Sequence, residues 1–409
     1  MQASLHQRSQ KIIRNESPRY KWYILSLSML AYCILGGVER MCLPVLFNEI
    51  SADLGLSLVS IGTIWGLDPL AGFFIGLPGG LLVDRFGLKN TLTVVCLLGG
   101  VLSALRGFSD SFTTLALTVF TFGITAAMIA GVAPKTTALW FNRRHWGLTN
   151  ALIQFSWYIG AIIATMLSAT ILSPWLGGWK NVLFFLSAPA IILGILWLIT
   201  GKDPPRVQLP TPDDKAMPFT QTLLKVVRIK EVWIIGLIQL FIFGASTGFM
   251  GYLALYLRNI GWTAVVADGA LTAHNGAAMI GTIPMMLISG RLGGKKKVLI
   301  ATVVVMLAGL AALPFVKSNW LFILLIITGF IRSVAGPICT TLIFEMKSVG
   351  TRYGGTAVGL ASAMGMLGAF AAPPLGNSLA GIGPGAPFIF WAALCGMAIP
   401  LAWFIKERP

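Results

Sequence analysis

Charged residues are scarce in this chain of 409 residues. Only 11% of them are Asp, Glu, Lys or Arg, whereas 56% are hydrophobic, and soluble domains carry roughly 25% charged residues. This balance excludes a water-soluble domain. Histidine is scarcer still, at three residues, and the five cysteines show no metal-ligand spacing. Because enzymes need a nucleophile with a base, a metal cluster or a cofactor cradle, we expect no enzyme, no metal and no cofactor.

Acidic residues are also few, 14 against 30 Lys and Arg, for a net charge of +16. About 23 of the basic residues fall in the two tails, the central linker and alternate loops, which is where the positive-inside rule places them when both termini are cytoplasmic. The remaining loops hold only Arg106, Lys180, Arg258 and Lys317. The charge therefore indicates topology in a cell membrane. It predicts the lipid bilayer, and not nucleic acid, as the partner of the basic surface.

Apolar runs of about 20 residues, long enough to cross a bilayer, recur from Trp22 to Phe404. They do not alternate polar with apolar residues, as barrel strands do, so we expect helices. The twelve predicted spans are 22–47, 58–83, 90–108, 112–140, 147–172, 181–200, 232–257, 267–289, 298–316, 320–344, 354–381 and 384–404. The predicted fold is an all-α membrane protein of twelve transmembrane helices.

A segment rich in proline and charge separates the first six spans from the last six. We expect a cytoplasmic tail (1–21), an N-terminal six-helix bundle (22–200), a cytoplasmic linker (201–231), a C-terminal six-helix bundle (232–404) and a second tail (405–409). The two halves share loop patterns: 80–89 corresponds to 290–297, and 144–147 to 352–355, at offsets of about 210 and 208 residues. Such weak symmetry is typical of transporters with internal repeats.

The segment 80–89 is G-L-L-V-D-R-F-G-L-K. It resembles the signature of the major facilitator superfamily, with Leu88 in place of the first residue of the basic pair. The resemblance implies two six-helix bundles that rock about a central site. It also implies a conformational signature loop formed by Gly80, Asp84, Arg85, Gly87 and Lys89.

Ionisable residues inside spans are costly and usually functional. The six that stand out are Glu39, Arg40, Asp68, Lys135, His274 and Arg332. Arg40, Lys135 and Arg332 come from both halves and could clamp a carboxylate, a sulfonate or a phosphate. The alternatives are that the arginines pair with Asp68 or Glu39, that Lys135 extends to the membrane surface, and that His274 is a hydrogen-bonded core residue.

Glu39 and Arg40, followed by the segment 52–57 (A-D-L-G-L-S), resemble the first span of the anion:cation symporter family. In that family an acidic residue and the following arginine serve proton coupling and organic-anion binding, which implies those roles for Glu39 and Arg40. Span 4 departs from the family pattern, with Val119 and Ala126 at the positions of an arginine and a carboxylate. Asp68 is therefore an alternative proton carrier.

Three further residues of span 5, Gln154, Trp157 and Tyr158, are candidates to line the site, and the missing side chains of Gly36 and Gly37 could leave room for a ligand beside Arg40. The sequence thus predicts a monomeric secondary transporter of a small organic anion, either proton-coupled or working by exchange. The alternatives are an exporter of amphipathic compounds, whose expected Gly-Pro pair is missing from span 5, and a non-transporting sensor.

Overall fold

A computed structural model describes residues 19–129, 131–203, 219–291, 294–316, 319–346 and 348–405. Twelve helical segments in these ranges are long and apolar enough to cross a membrane, and no strand occurs among the described residues. The predicted fold class is therefore confirmed.

The first six spans are Tyr20–Leu54, Leu58–Phe86, Leu88–Arg106, Phe112–Ile129 continued by Val132–Trp140, Trp146–Leu176, and Trp179–Thr200. The last six are Lys230–Asn259, Ala264–Arg291, Lys295–Phe315, Asn319–Arg332 continued by Ala335–Glu345, Gly350–Ser378, and Ala386–Gly396 continued by Ala398–Trp403.

Spans 4 and 10, which occupy equivalent places in the two bundles, are interrupted near their middles, although 112–140 and 320–344 were predicted as continuous helices. Each second segment carries a proline in its first turn, Pro134 and Pro337. Proline is tolerated there because the first N–H groups of a helix have no partner within the helix. The interruptions therefore cost few backbone hydrogen bonds.

The start of span 1, the end of span 12 and the linker lie at one end of the molecule, which we call the linker end; the opposite end is the distal end. The Tyr20 hydroxyl, at the start of span 1, donates a hydrogen bond to the Thr200 carbonyl at the end of span 6 (2.6 Å). In the other bundle, Lys296 Nζ donates to the carbonyl of Ile405, 3.1 Å away. The linker itself contains a short helix, Phe219–Val227, that the sequence analysis did not anticipate.

The connection between spans 2 and 3 is shorter than predicted, since the predicted spans 58–83 and 90–108 leave 84–89 between them. Span 2 continues to Phe86 and span 3 begins at Leu88, so Gly87 alone separates them, with φ at +83°. Asp203, which follows span 6, accepts hydrogen bonds from the backbone N–H groups of Leu88 (2.8 Å) and Lys89 (2.9 Å). A carboxylate is favourable at the positive N-terminus of a helix. The surroundings of Gly80 and the side chains of Asp84 and Arg85 lie outside what the structure describes.

The N-terminal bundle depends on close contact between spans 1 and 5. A Cβ atom on Gly37 would lie 2.8 Å from the Cα of Gly160, and one on Gly160 would overlap the carbonyl of Cys33. A Cβ atom on Gly36 would lie 2.9 Å from the ring of Trp157. The expectation that Gly36 and Gly37 leave room for a ligand is therefore wrong: span 5 fills that space.

The variant G160A tests this packing. The added methyl group meets backbone atoms that cannot rotate away, and overpacking typically costs about 1–3 kcal/mol. We expect the thermal unfolding midpoint of the purified protein to fall by several degrees. Gly147 is the matched control, because it lies on the same span with nothing within 4 Å of its added Cβ. Equal stability of G160A and G147A would contradict the packing described here.

Candidate functional site

The two bundles contact each other closely at the distal end. Three hydrogen bonds between described residues join them there: Trp65 Nε1 to the Thr247 carbonyl (2.8 Å), Asn377 Nδ2 to the Leu58 carbonyl (2.8 Å), and the hydroxyls of Thr165 and Thr272 (2.9 Å). These bonds connect span 2 with spans 7 and 11, and span 5 with span 8. The distal end of the interface is therefore closed.

Span 2 diverges from span 11 toward the linker end. A Cβ atom on Gly62 would lie 2.9 Å from the Pro373 backbone, and one on Gly66 would lie 2.5 Å from the Phe370 carbonyl oxygen. A Cβ atom on Gly72 would lie 3.4 Å from the Met366 sulfur, and a Cβ atom on Gly76 would meet nothing within 4 Å. At about 100° per residue, Gly76 points between the directions of Gly62 and Gly72. The space between the bundles therefore widens toward the linker end.

Arg40 and Asp68 form a two-point ion pair between spans 1 and 2. Arg40 Nη2 donates to Asp68 Oδ1 over 2.9 Å, and Nε lies 2.8 Å from Oδ2. The side chains are 25% and 11% exposed, respectively. The Arg40–Asp68 ion pair, which was one alternative considered from the sequence, is thus present in the structure, and both side chains are partly exposed.

Glu39, the neighbour of Arg40, points in a different direction and is fully buried in the N-terminal bundle. Its Oε2 accepts a hydrogen bond from Arg106 Nη2 (2.6 Å) and is also bonded to the Ser103 hydroxyl. Arg106 Nη1 donates to the Glu39 carbonyl (2.9 Å), and its guanidinium lies 4.3 Å from the Phe122 ring centre. Both charged side chains are 0% exposed. Placing Arg106 in an outside loop was therefore wrong; it is the last residue of span 3.

In the C-terminal bundle, His274 of span 8 and Arg332 of span 10 line one cavity together with Ser246 of span 7. The eleven residues around this cavity include no carboxylate. His274 Nδ1 is 3.0 Å from the Leu325 carbonyl, whereas His274 Nε2, Ser246 Oγ and the Nε and Nη2 atoms of Arg332 have no hydrogen-bond partner among the described residues. Buried polar atoms without partners are uncommon and point to a ligand or water.

Close packing of spans 8 and 10 positions these residues. A Cβ atom on Gly281 would overlap the Phe330 carbonyl, and one on Gly329 would lie 3.1 Å from His274 Nδ1. The ring of Phe249 packs edge-on against the imidazole, with ring centres 4.9 Å apart. His274 is therefore held by close backbone packing and an aromatic ring, and its Nε2 has no hydrogen-bond partner among the described residues.

The remaining sequence candidates occupy different places. Tyr158 lies near Arg332 across the bundle interface and packs against Trp157, with ring centres 5.0 Å apart. Gln154, further toward the linker end, is exposed. Lys135 lies within electrostatic range of Asp203 at the linker end. The structure thus groups Tyr158 with Arg332 and His274, and associates Lys135 with the Asp203 cap.

A second buried charged pair, after Glu39 with Arg106, was missed from the sequence, where Arg258 was assigned to a loop. Arg258 Nη2 contacts both oxygens of Asp268, at 2.6 and 2.7 Å, and the carboxylate side chain is 1% exposed. The signal was the presence of two opposite charges at the adjoining ends of consecutive spans. No group of three or more potential metal ligands occurs among the described residues.

The Glu39–Arg106 pair supports a test of stability. The variant R106Q leaves a buried carboxylate without its cation, which costs about 3–5 kcal/mol. We expect a large loss of thermal stability. The matched control is K180Q, since Lys180 forms a bridge with Asp53 (3.2 Å) in which both side chains are more than 40% exposed, and such surface pairs contribute about 0–1 kcal/mol. Similar unfolding midpoints for R106Q and K180Q would show that Arg106 does not neutralise Glu39.

The widening between spans 2 and 11 supports a test of accessibility. In a C33S background, which removes the one cysteine that is not buried, G76C should react with a water-soluble maleimide. G72C, about one helical turn away and buried, should react at least tenfold more slowly, a difference set by access alone. Mass spectrometry of the labelled protein gives both rates. Equal rates would mean that the space at Gly76 does not open to water.

Comparisons with known proteins agree with this architecture. The family model described as Major Facilitator Superfamily matches residues 28–293 and 249–409. A cis,cis-muconate transport protein of Acinetobacter baylyi is 25% identical over 97% of each chain. A probable galactarate/D-glucarate transporter of Escherichia coli is 26% identical, although the match spans only 49% of this chain and 45% of that relative's length.

A phosphoglycerate transporter protein of Salmonella typhimurium is 25% identical over 87% of this chain and 81% of its own length. Among solved structures, a bacterial homolog of the human lysosomal transporter Spinster, inward-facing and unoccupied, has a TM-score of 0.73 at 17% identity, covering 96% of this chain and 100% of that one. A mutant of the nucleoside transporter NupG has a TM-score of 0.74 at 15% identity, covering 94% and 98%. The family model, which covers most of the sequence, establishes that this chain belongs to the Major Facilitator Superfamily and is a multi-pass membrane transporter, not an enzyme.

Proposed function

We propose that this transporter carries a small organic anion, with Arg40 and Arg332 binding the anionic groups from opposite bundles. The observation that carries the proposal is Arg332. Two of its guanidinium nitrogens are buried without hydrogen-bond partners among the described residues, and no carboxylate lines its cavity. A buried cation without compensation is costly. A carboxylate or phosphate can satisfy a guanidinium with two parallel hydrogen bonds.

The relatives support this substrate class. Their names specify galactarate and D-glucarate, cis,cis-muconate, and phosphoglycerate, all of which carry two anionic groups at neutral pH. Two arginines on opposite bundles match two such groups. A dicarboxylate that bridges Arg40 and Arg332 would draw the bundles together around it. Binding would then favour a conformation in which both bundles close around the substrate, through which the site passes from one side of the membrane to the other.

We further propose that transport is coupled to protons at Asp68. Of the two acidic residues identified in the sequence, Glu39 is sealed in the N-terminal bundle with Arg106, whereas Asp68 is partly exposed beside Arg40. Protonation of Asp68 would free the Arg40 guanidinium for the substrate. In the membrane the linker end would face the cytoplasm, because it carries most of the basic residues, so the arrangement described here is open to the inside.

The variant R332Q tests the binding role. Loss of hydrogen bonds to a charged group costs about 1.5–3 kcal/mol, so we expect affinity for cis,cis-muconate or D-glucarate to fall by about tenfold to a hundredfold. Isothermal titration of the purified protein gives the dissociation constants. R332K should retain part of the affinity, because it keeps the charge but not the forked geometry.

The control is R144Q, which removes a positive charge from an exposed position at the linker end. It should bind these anions like the wild type. A wild-type protein stabilised against heat by organic amines but by none of these anions would overturn the proposed substrate class. Binding that survives in R332Q would assign the anion to another site.

A further inference from the structure

We infer that His274 is a second proton acceptor, which takes up a proton when an anion occupies Arg332. This inference rests on the proposed function, because it requires an anionic substrate at Arg332. From its sequence His274 is a candidate for substrate binding, with a hydrogen-bonded core residue as the alternative. Its geometry in the C-terminal bundle indicates a different role.

The hydrogen bond to Leu325 fixes the tautomer of His274. A carbonyl oxygen only accepts, so Nδ1, at 3.0 Å, carries a proton and donates it. Nε2 then holds a lone pair in the neutral ring. This atom is buried without a partner among the described residues, in a residue that is 2% exposed, and the ring lines the cavity shared with Arg332. His274 is therefore ready to accept one proton at Nε2 without losing its existing hydrogen bond.

The surrounding charges link that proton to the anion. Arg332 lies within electrostatic range of His274, and Tyr158 of span 5 lies within the same range of Arg332. The other elements around the ring contribute Ser246 and Phe249 from span 7 and uncharged side chains from spans 9 and 10. In the empty site an imidazolium would add a second positive charge beside Arg332 with no acid among the lining residues. An anion on Arg332 removes this repulsion and favours protonation of Nε2.

Charge balance across the transport cycle points the same way. With neutral His274, the empty site holds Arg40, Arg332 and Asp68, a net charge of +1 from two cations and one anion. A bound dianion changes this to −1, and a proton on Asp68 restores it only to zero. A second proton, on His274 Nε2, returns the loaded site to the charge of the empty one. When the loaded and the empty carrier have the same net charge, the membrane potential opposes the conformational change of each to a similar extent.

The inference is tested by the pH dependence of cis,cis-muconate binding. The number of protons taken up with the anion equals the slope of log Kd against pH, a linkage relation of the same form as that for folding. The variant H274N is suited to this test, because the Asn amide nitrogen can replace Nδ1 as donor to Leu325 while no atom replaces Nε2. We expect the slope to fall by about one in H274N, which is a tenfold weaker dependence of Kd on each pH unit. D68N should lose a separate proton and still retain the contribution of His274.

A second measurement uses the wild-type protein and does not depend on how a variant folds. The chain has only three histidines, so ¹⁵N-histidine labelling gives few signals, and H6N and H145N assign the other two. Adding cis,cis-muconate should move the His274 ring nitrogens to imidazolium chemical shifts. If the wild type binds the anion but His274 stays neutral, or if H274N keeps the full wild-type slope, the inference is wrong. If the wild type binds none of the anions at any pH, the proposed function itself fails.

Discussion

Compensation of charge inside a bilayer is the constraint on which the rest of this structure depends. The described charged residues within the spans are compensated by opposite charges to different degrees. Glu39 with Arg106, and Arg258 with Asp268, are buried and closed ion pairs. Arg40 with Asp68 is partly exposed, and the Nε and Nη2 atoms of Arg332 have no partner among the described residues. Removing either member of a closed pair leaves a costly buried charge, so the first two pairs tolerate no loss of a partner, whereas the charges at the last two positions are only partly compensated by described residues.

Small residues provide the rigidity that those open positions require. Within the bundles, Gly37 with Gly160 and Gly281 with Gly329 bring backbones so close that a single methyl group would overlap them. Between the bundles, two of the three described hydrogen bonds run from a side chain to a carbonyl, at Trp65 and Asn377. Water can replace such bonds at low cost, but spans 2 and 11 also interlock across the interface, where a Cβ atom on Gly66 would lie 2.5 Å from the Phe370 carbonyl oxygen. Close backbone packing is therefore present within the bundles and at the distal end of the interface between them.

The sequence predicted the twelve spans because hydropathy depends on the composition of a run, and composition does not depend on how the run packs. The sequence was less informative about the direction in which a side chain points from its helix. Arg106 is the last residue of an apolar helix, and nothing in its sequence position shows that it turns inward to Glu39. Gly36 and Gly37 could equally have bordered a cavity or a neighbouring helix. Asp203 lies 115 residues from the helix that it caps, a separation that no local pattern can reveal.

The two bundles differ in the surroundings of their candidate arginines. The arginine of the N-terminal bundle is already paired with an acid, whereas that of the C-terminal bundle shares a cavity with an imidazole and no acid among the lining residues. An anion arriving at the first must compete with Asp68, but at the second it meets a cation with no competitor among the lining residues. Under the proposed function, initial binding occurs at Arg332, and release of Arg40 follows only when Asp68 gains a proton. In this order the substrate engages one bundle before it bridges both, so the bundles close only around a carrier that is already loaded.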